Sequence, residues 1–108
     1  MAKFDKKNNV IIWKNCKTDV FYYEGPADSY KSEVKFDGNR IVVSYKDEDG
    51  YTTYDGESTG DGHFELSSPR AAGRATLHVL EKGRILEGYW EEGGDKGMWR
   101  ISLVDHSM

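Results

Sequence analysis

The sequence predicts an all-β protein, a small antiparallel up-and-down meander barrel of about eight or nine strands. Three observations carry that prediction. Apolar and polar residues alternate with period two along most of the chain, cut by turn residues about every eight to twelve positions, and no stretch has helical periodicity. A glycine-spaced aromatic hairpin occurs twice, as Tyr54-Asp55-Gly56 returning through Gly62-His63-Phe64-Glu65-Leu66, and as Leu86-Glu87-Gly88-Tyr89-Trp90 returning through Gly97-Met98-Trp99-Arg100-Ile101. Finally, the registers implied by the turns keep apolar partners on one face in every hairpin, and a one-residue slip would destroy that agreement.

The strands fall over 9–15, 19–24, 31–37, 40–46, 51–58, 63–67, 74–81, 84–92 and 97–104. Cys16, between Asn15 and Lys17, is placed at a turn separating the first two. A Gly38-Asn39 turn sets Phe36 opposite Ile41 and Val34 opposite Val43. The acidic loop from Asp47 to Gly50 then sets Val43 opposite Tyr54 and Ile41 opposite Gly56. Closing the next hairpin through Thr59-Gly60-Asp61 sets Gly56 opposite Phe64 and Tyr54 opposite Leu66. A Lys82-Gly83 turn pairs Val79 with Leu86, Leu77 with Gly88 and Ala75 with Trp90. The last loop brings Trp90 against Trp99, Gly88 against Ile101 and Leu86 against Leu103. Each strand pairs with the next, and closing such a sheet removes its exposed edges. Gly56 and Gly88 are expected inside, small opposite large, so that a β-branched replacement overpacks the core by about 1–3 kcal/mol.

A chain of 108 residues is one domain, 1–108, with 1–8 and 105–108 expected as flexible ends. Charged residues make up 31% and aromatics 13%, a globular composition. The formal net charge of −4 argues against nucleic acid as a partner, because phosphate binding needs a basic face. One cysteine allows no internal disulfide, the N-terminus has no apolar signal region, and no apolar run spans a membrane. A cytoplasmic setting with no membrane partner is therefore expected; the oligomeric state is left open.

Several constellations invite a chemical reading. The register places His78 opposite Glu87 and Glu87 opposite Ser102, but a serine nucleophile needs the imidazole in the middle of such a row. Asp55 opposite Glu65, and Glu57 opposite His63, suggest paired carboxylates or a His63–Glu65 metal pair. On an open sheet these read as solvated cross-strand pairs. Tyr89 opposite Arg100 reads as a surface cation–π pair. The loop Glu91-Glu92-Gly93-Gly94-Asp95-Lys96-Gly97 opens no helix and ends in no Lys-Ser/Thr, so it is no phosphate cradle. No catalytic residue, metal or cofactor is assigned.

The aromatics are richer material. Trp90 and Trp99 flank the final loop and are expected at one mouth of the barrel, where rings beside polar groups hold ligands or plug the end. Tyr54 and Tyr45 complete the expected ligand-binding set. The stretches from Val43-Ser44-Tyr45 to Tyr54-Asp55-Gly56, and from Leu86-Glu87-Gly88-Tyr89-Trp90 to Trp99-Arg100-Ile101-Ser102-Leu103, resemble the avidin–streptavidin type of calycin barrel over about two thirds of the chain. That resemblance implies the fold, and ligand binding by analogy. It does not extend to biotin, since the polar biotin-binding set of that family has no counterpart here.

The leading expectation is a non-enzymatic binding module that engages a small ligand or a protein partner at its tryptophan-bearing end. A second is a small acidic inhibitor or immunity-type protein, presenting Asp47, Glu48, Asp49, Glu91, Glu92 and Asp95 to a basic partner. A third is an enzyme that uses His63 and His78 with neighbouring acids.

Overall fold

The computed structural model describes residues 10–23, 25, 27–47, 50–69, 72–80 and 83–103. Eight strands follow one another: β1 Val10–Tyr22, β2 Ala27–Asp37, β3 Arg40–Asp47, β4 Gly50–Gly60, β5 His63–Ser68, β6 Gly73–Val79, β7 Ile85–Glu92 and β8 Asp95–Ser102. Each pairs antiparallel with the next, and β1 pairs with β8, so the meander closes into a barrel. The expected ends 1–8 and 105–108 lie outside the described residues.

The two N-terminal strands expected from the sequence are one strand. In β1 the pairing with β2 runs Trp13↔Val34 and then Cys16↔Ser32, which is a bulge that inserts one residue. The bulge changes the phase of alternation from odd (Ile11, Trp13) to even (Cys16, Thr18, Val20). That phase change is what a sequence reading takes for a turn. Cys16 is consequently buried in the barrel, its thiol pointing to the Trp13 carbonyl at 3.4 Å.

The hairpins β2–β3 and β3–β4 pair as the sequence requires, with Phe36↔Ile41, Val34↔Val43, Val43↔Tyr54 and Ile41↔Gly56. Between β6 and β7, Ala75↔Trp90 and Val79↔Leu86 also agree. Two hairpins close more tightly than expected. Gly56 lies opposite Leu66 and Ser58 opposite Phe64, because the chain reverses at Asp61-Gly62 and a bulge follows Ser58. Gly88 lies opposite Trp99, Trp90 opposite Gly97 and Leu86 opposite Ile101, because β7 continues to Glu92 before a two-residue turn. In that turn Gly93 and Gly94 have φ of 57° and 93°, the positive pair a tight hairpin turn demands. Both displacements are by two residues, so every inward side chain stays inward.

The interior is filled. Val34, Ile41, Val43, Leu77, Leu86 and Ile101 are completely buried, and Phe36, Phe64, Leu66 and Leu103 pack with them. Thr18 and Ser32 face each other inside, and the Thr18 hydroxyl donates to Ser32 Oγ at 2.7 Å, so neither leaves a buried hydroxyl unsatisfied. The strand glycines do sit small opposite large, though opposite Leu66 and Trp99 rather than Phe64 and Ile101, and they have a second role. A Cβ on Gly56 would run into the backbone of Glu65 and Leu66, and one on Gly88 into that of Thr76 and Leu77. Glycine there lets adjacent strands cross more closely than any side chain allows, where the sheet coils to close.

Candidate functional site

Period-two alternation carries the inward row of each strand to the end of the barrel, and at one end those rows finish in aromatics. The inward row of β1 continues through Val20 to Tyr22, and that of β3 through Val43 to Tyr45. On β7 it runs from Leu86 through Gly88 and Trp90 to Glu92. Tyr30 lies on the inward row of β2 and Tyr54, after Thr52, on that of β4, and Trp99 lies inward on β8. Together these side chains line a recess of about 50 Å³. All four residues expected to bind a ligand, Trp90, Trp99, Tyr54 and Tyr45, are among them. Tyr22, Tyr30, Val20 and Glu92 complete the wall.

Ring contacts organise the wall. Tyr22 meets Trp90 edge-on, with centroids 5.2 Å apart at 84°. Tyr30 lies 5.1 Å from Tyr45 at 34°, and Tyr54 lies 5.4 Å from Trp99 at 60°. The polar edges of the deep rings are committed to the protein. Trp90 Nε1 donates to the Met98 carbonyl at 3.1 Å, Trp99 Nε1 to the Thr76 carbonyl at 3.0 Å, and the Tyr54 hydroxyl to Glu92 Oε1 at 2.5 Å. Burial pushes the Tyr54 phenol far above its ordinary range, and the Glu92 carboxylate adds to the shift, so Tyr54 remains a donor. Burial also raises the Tyr22 phenol, reinforced by the negative charge of Asp28 and, more weakly, of Asp95.

Beside the recess and sharing Tyr22 with it is an open groove of about 270 Å³, formed with Tyr23, Gly94, Asp95 and Lys96. Lys96 Nζ stands 5.9 Å from the centre of the Tyr23 ring. Glu92 belongs to the recess rather than to an outer acidic edge. Its neighbour Glu91 points the other way, to Arg74 at 3.6 Å. Of the remaining acids grouped with them by sequence, Asp95 opens β8, Asp47 ends β3, and Glu48 and Asp49 lie outside the described residues. Glu92 was legible as inward: it follows Gly88 and Trp90 at the same parity.

The outer-face constellations resolve into cross-strand pairs. His63 and His78 face each other on β5 and β6, Nδ1 to Nε2 at 2.6 Å, with Glu65 3.8 Å from His63. His78 does lie opposite Glu87, but Glu87 lies opposite Arg100 and not Ser102, and takes a 2.5 Å hydrogen bond from Arg100 Nε. The Ser–His–Glu row therefore does not exist; Ser102 pairs with Ile85 and Lys17. Nor does Arg100 cover Tyr89, which lies opposite Met98. Asp55 lies opposite Ser67 and Glu57 opposite Glu65, and Arg40 binds both Asp55 and Glu57. Among the described residues no three His, Cys, Asp or Glu side chains are grouped to hold a metal. His78 is exposed on the outer face, away from the aromatic recess.

The fold and the recess define a class, a small closed antiparallel barrel with a filled interior and an aromatic-walled, carboxylate-bearing end. Comparison with protein-family models and with curated proteins finds no match for this chain.

Proposed function

We propose that this protein is a non-enzymatic binding module that takes a small ligand at the Trp90–Trp99 end of the barrel. One observation carries the reading: in a barrel otherwise filled, six strands deliver six aromatic rings and one carboxylate to a single recess open at its end. A barrel that only needed sealing would satisfy itself with aliphatic plugs; tyrosines and tryptophans with an acid are the composition of a ligand site. The likeness to avidin and streptavidin is part of the same proposal, at the level of a calycin-type meander whose ligand enters between strand ends. So is a cytoplasmic setting, which suits the chain's single, buried thiol at Cys16.

The inhibitor reading has less to stand on, because Glu91 and Glu92 point to opposite sides of the sheet and Glu91 is engaged by Arg74. The test is a fragment library screened against the ¹⁵N-labelled chain. Binding is expected to move the indole N–H signals of Trp90 and Trp99 and leave that of Trp13, which does not line the recess. A library with no effect on those two indoles, or effects confined to the outer face, overturns the proposal.

A further inference from the structure

The recess is walled by aromatic rings and carries a single carboxylate, with the Tyr22, Tyr30 and Tyr45 phenols also in its lining. Its deep donors, the two indole N–H groups and the Tyr54 hydroxyl, are already spent on Met98, Thr76 and Glu92. Among the described residues no lysine or arginine lines it. What faces the space is aromatic surface, negative over each ring, together with the Glu92 carboxylate. The acids along the sheet near it have cationic partners: Arg74 for Glu91, Arg100 for Glu87, and Arg40 for Asp55 and Glu57. Among the described residues Glu92 has none, and its hydrogen bond there is to Tyr54. Asp28 and Asp95 add negative potential at Tyr22 on the rim.

An anion would face the Glu92 carboxylate with no cationic side chain among the described lining residues to offset it. A neutral hydrogen-bonding ligand would leave the Glu92 charge without a counter-charge. A cation with an apolar skin satisfies the wall, since it interacts with the rings through their faces and needs no hydrogen bond from them. Size narrows the class. At roughly 10–15 Å³ for each water-sized group, the recess of about 50 Å³ admits about four such groups. A nitrogen with three methyls has that size, and a sugar or purine ring does not.

Resting on the ligand-binding reading above, we propose that the recess binds a methylated alkylammonium head, caged by Tyr22, Tyr45, Trp90 and Trp99 with Glu92 as its counter-ion. The remainder of the ligand lies along the open groove past Tyr23, where Lys96 is placed to meet an acidic group. The same head can come on a free small molecule or on a methylated lysine side chain, and the experiment separates the two.

The test titrates the intact ¹⁵N-labelled chain with choline, with its uncharged carbon isostere 3,3-dimethyl-1-butanol, and with N-acetyl-trimethyllysine amide. Choline is expected to shift the Trp90 and Trp99 indole signals, and the isostere to bind at least tenfold more weakly. E92Q is expected to weaken choline tenfold or more and to leave the isostere unchanged. The isostere comparison on the unmodified chain decides the matter even if E92Q folds poorly. Tighter binding of the lysine derivative than of choline assigns the head to a protein side chain; the reverse assigns it to a small molecule. Equal binding of choline and its isostere overturns the ammonium class while ligand binding stands. If both are silent but fragments move these indoles, the ammonium inference alone falls; if fragments are silent too, the binding function falls with it.

Discussion

Replacing Gly56 by alanine should be among the most damaging single-methyl changes this barrel can suffer. An ideal Cβ at Gly56 lies 2.6 Å from the Glu65 carbonyl carbon and 2.7 Å from Leu66 Cα, and closer still to the Glu65 oxygen. Non-bonded carbons rest at about 3.5–4.0 Å, so β5 must retreat by about 1 Å. Every offending atom is backbone, and no rotamer change relieves the clash. A retreat of that size stretches the local N–H···O bonds past about 3.5 Å and breaks them. Two broken ladder bonds at a net ~1 kcal/mol each, with loosened packing of buried Leu66 and Phe64, amount to about 3 kcal/mol or more. That is a large part of the ~5–15 kcal/mol by which domains of this size are stable. Gly60, on the same strand, is the control, because a Cβ there meets nothing within 4 Å. Gly60→Ala should be neutral or slightly stabilising through the unfolded chain, by up to about 1 kcal/mol. Urea unfolding followed by tryptophan fluorescence measures both. If Gly56→Ala falls within about 1 kcal/mol of Gly60→Ala, the close-approach argument is wrong.

Gly88→Ala should behave like Gly56→Ala, since its Cβ would sit 2.5 Å from the Thr76 carbonyl carbon; the same urea curves report it. Thr18→Val should cost about 1–3 kcal/mol by stranding the Ser32 hydroxyl inside the barrel. Adding Ser32→Ala should recover most of that loss, a coupling that a double-mutant cycle of denaturant midpoints reads directly. Tyr54 makes stability depend on alkaline pH. Its folded-state pKa lies above the unfolded value of about 10, so its contribution is complete below that pH and is lost as pH climbs toward the folded value. The loss from this one group is at most about 1.4 kcal/mol per pH unit, and Tyr54→Phe should remove it from a stability series over that alkaline range. Arg40→Ala, which breaks two exposed ion pairs, should shift the thermal midpoint by the equivalent of less than about 1 kcal/mol.

Period-two alternation is insensitive to displacements of two residues, and that accounts for what the sequence could and could not disclose. Phe36, Val43, Tyr54, Trp90 and Trp99 were legible as inward residues because every slip compatible with the pattern keeps them there. The neighbour across the strand was not. Whether Gly88 meets Ile101 or Trp99 depends on where the turn closes, and only the positive φ angles at Gly93 and Gly94 decide it. The same ambiguity produced the false Glu87–Ser102 row and the false Tyr89–Arg100 pair. The bulge after Trp13 was hidden for another reason. No glycine or proline marks its extra residue, and in one dimension a phase change on a continuous strand is indistinguishable from a break between two strands. The aromatic end could be found because aromatics carry no parity ambiguity when they flank a turn. Tyr22 and Tyr30 entered it because the closing strand runs on to Tyr22 against β8 and because β2 begins earlier than expected.

The placement of Cys16 makes the barrel its own timepiece. The chain's single thiol lies inside, 2% exposed, next to Lys17, whose pairing with Ser102 is the outermost rung joining β1 to β8. A reagent in solvent can reach that sulfur only when the barrel opens, so the rate of alkylation counts openings. Compared with the rate for the denatured chain, it gives the fraction of time the closure is undone. The first and last strands have no loop between them to hold them together; that seam is where such openings should begin.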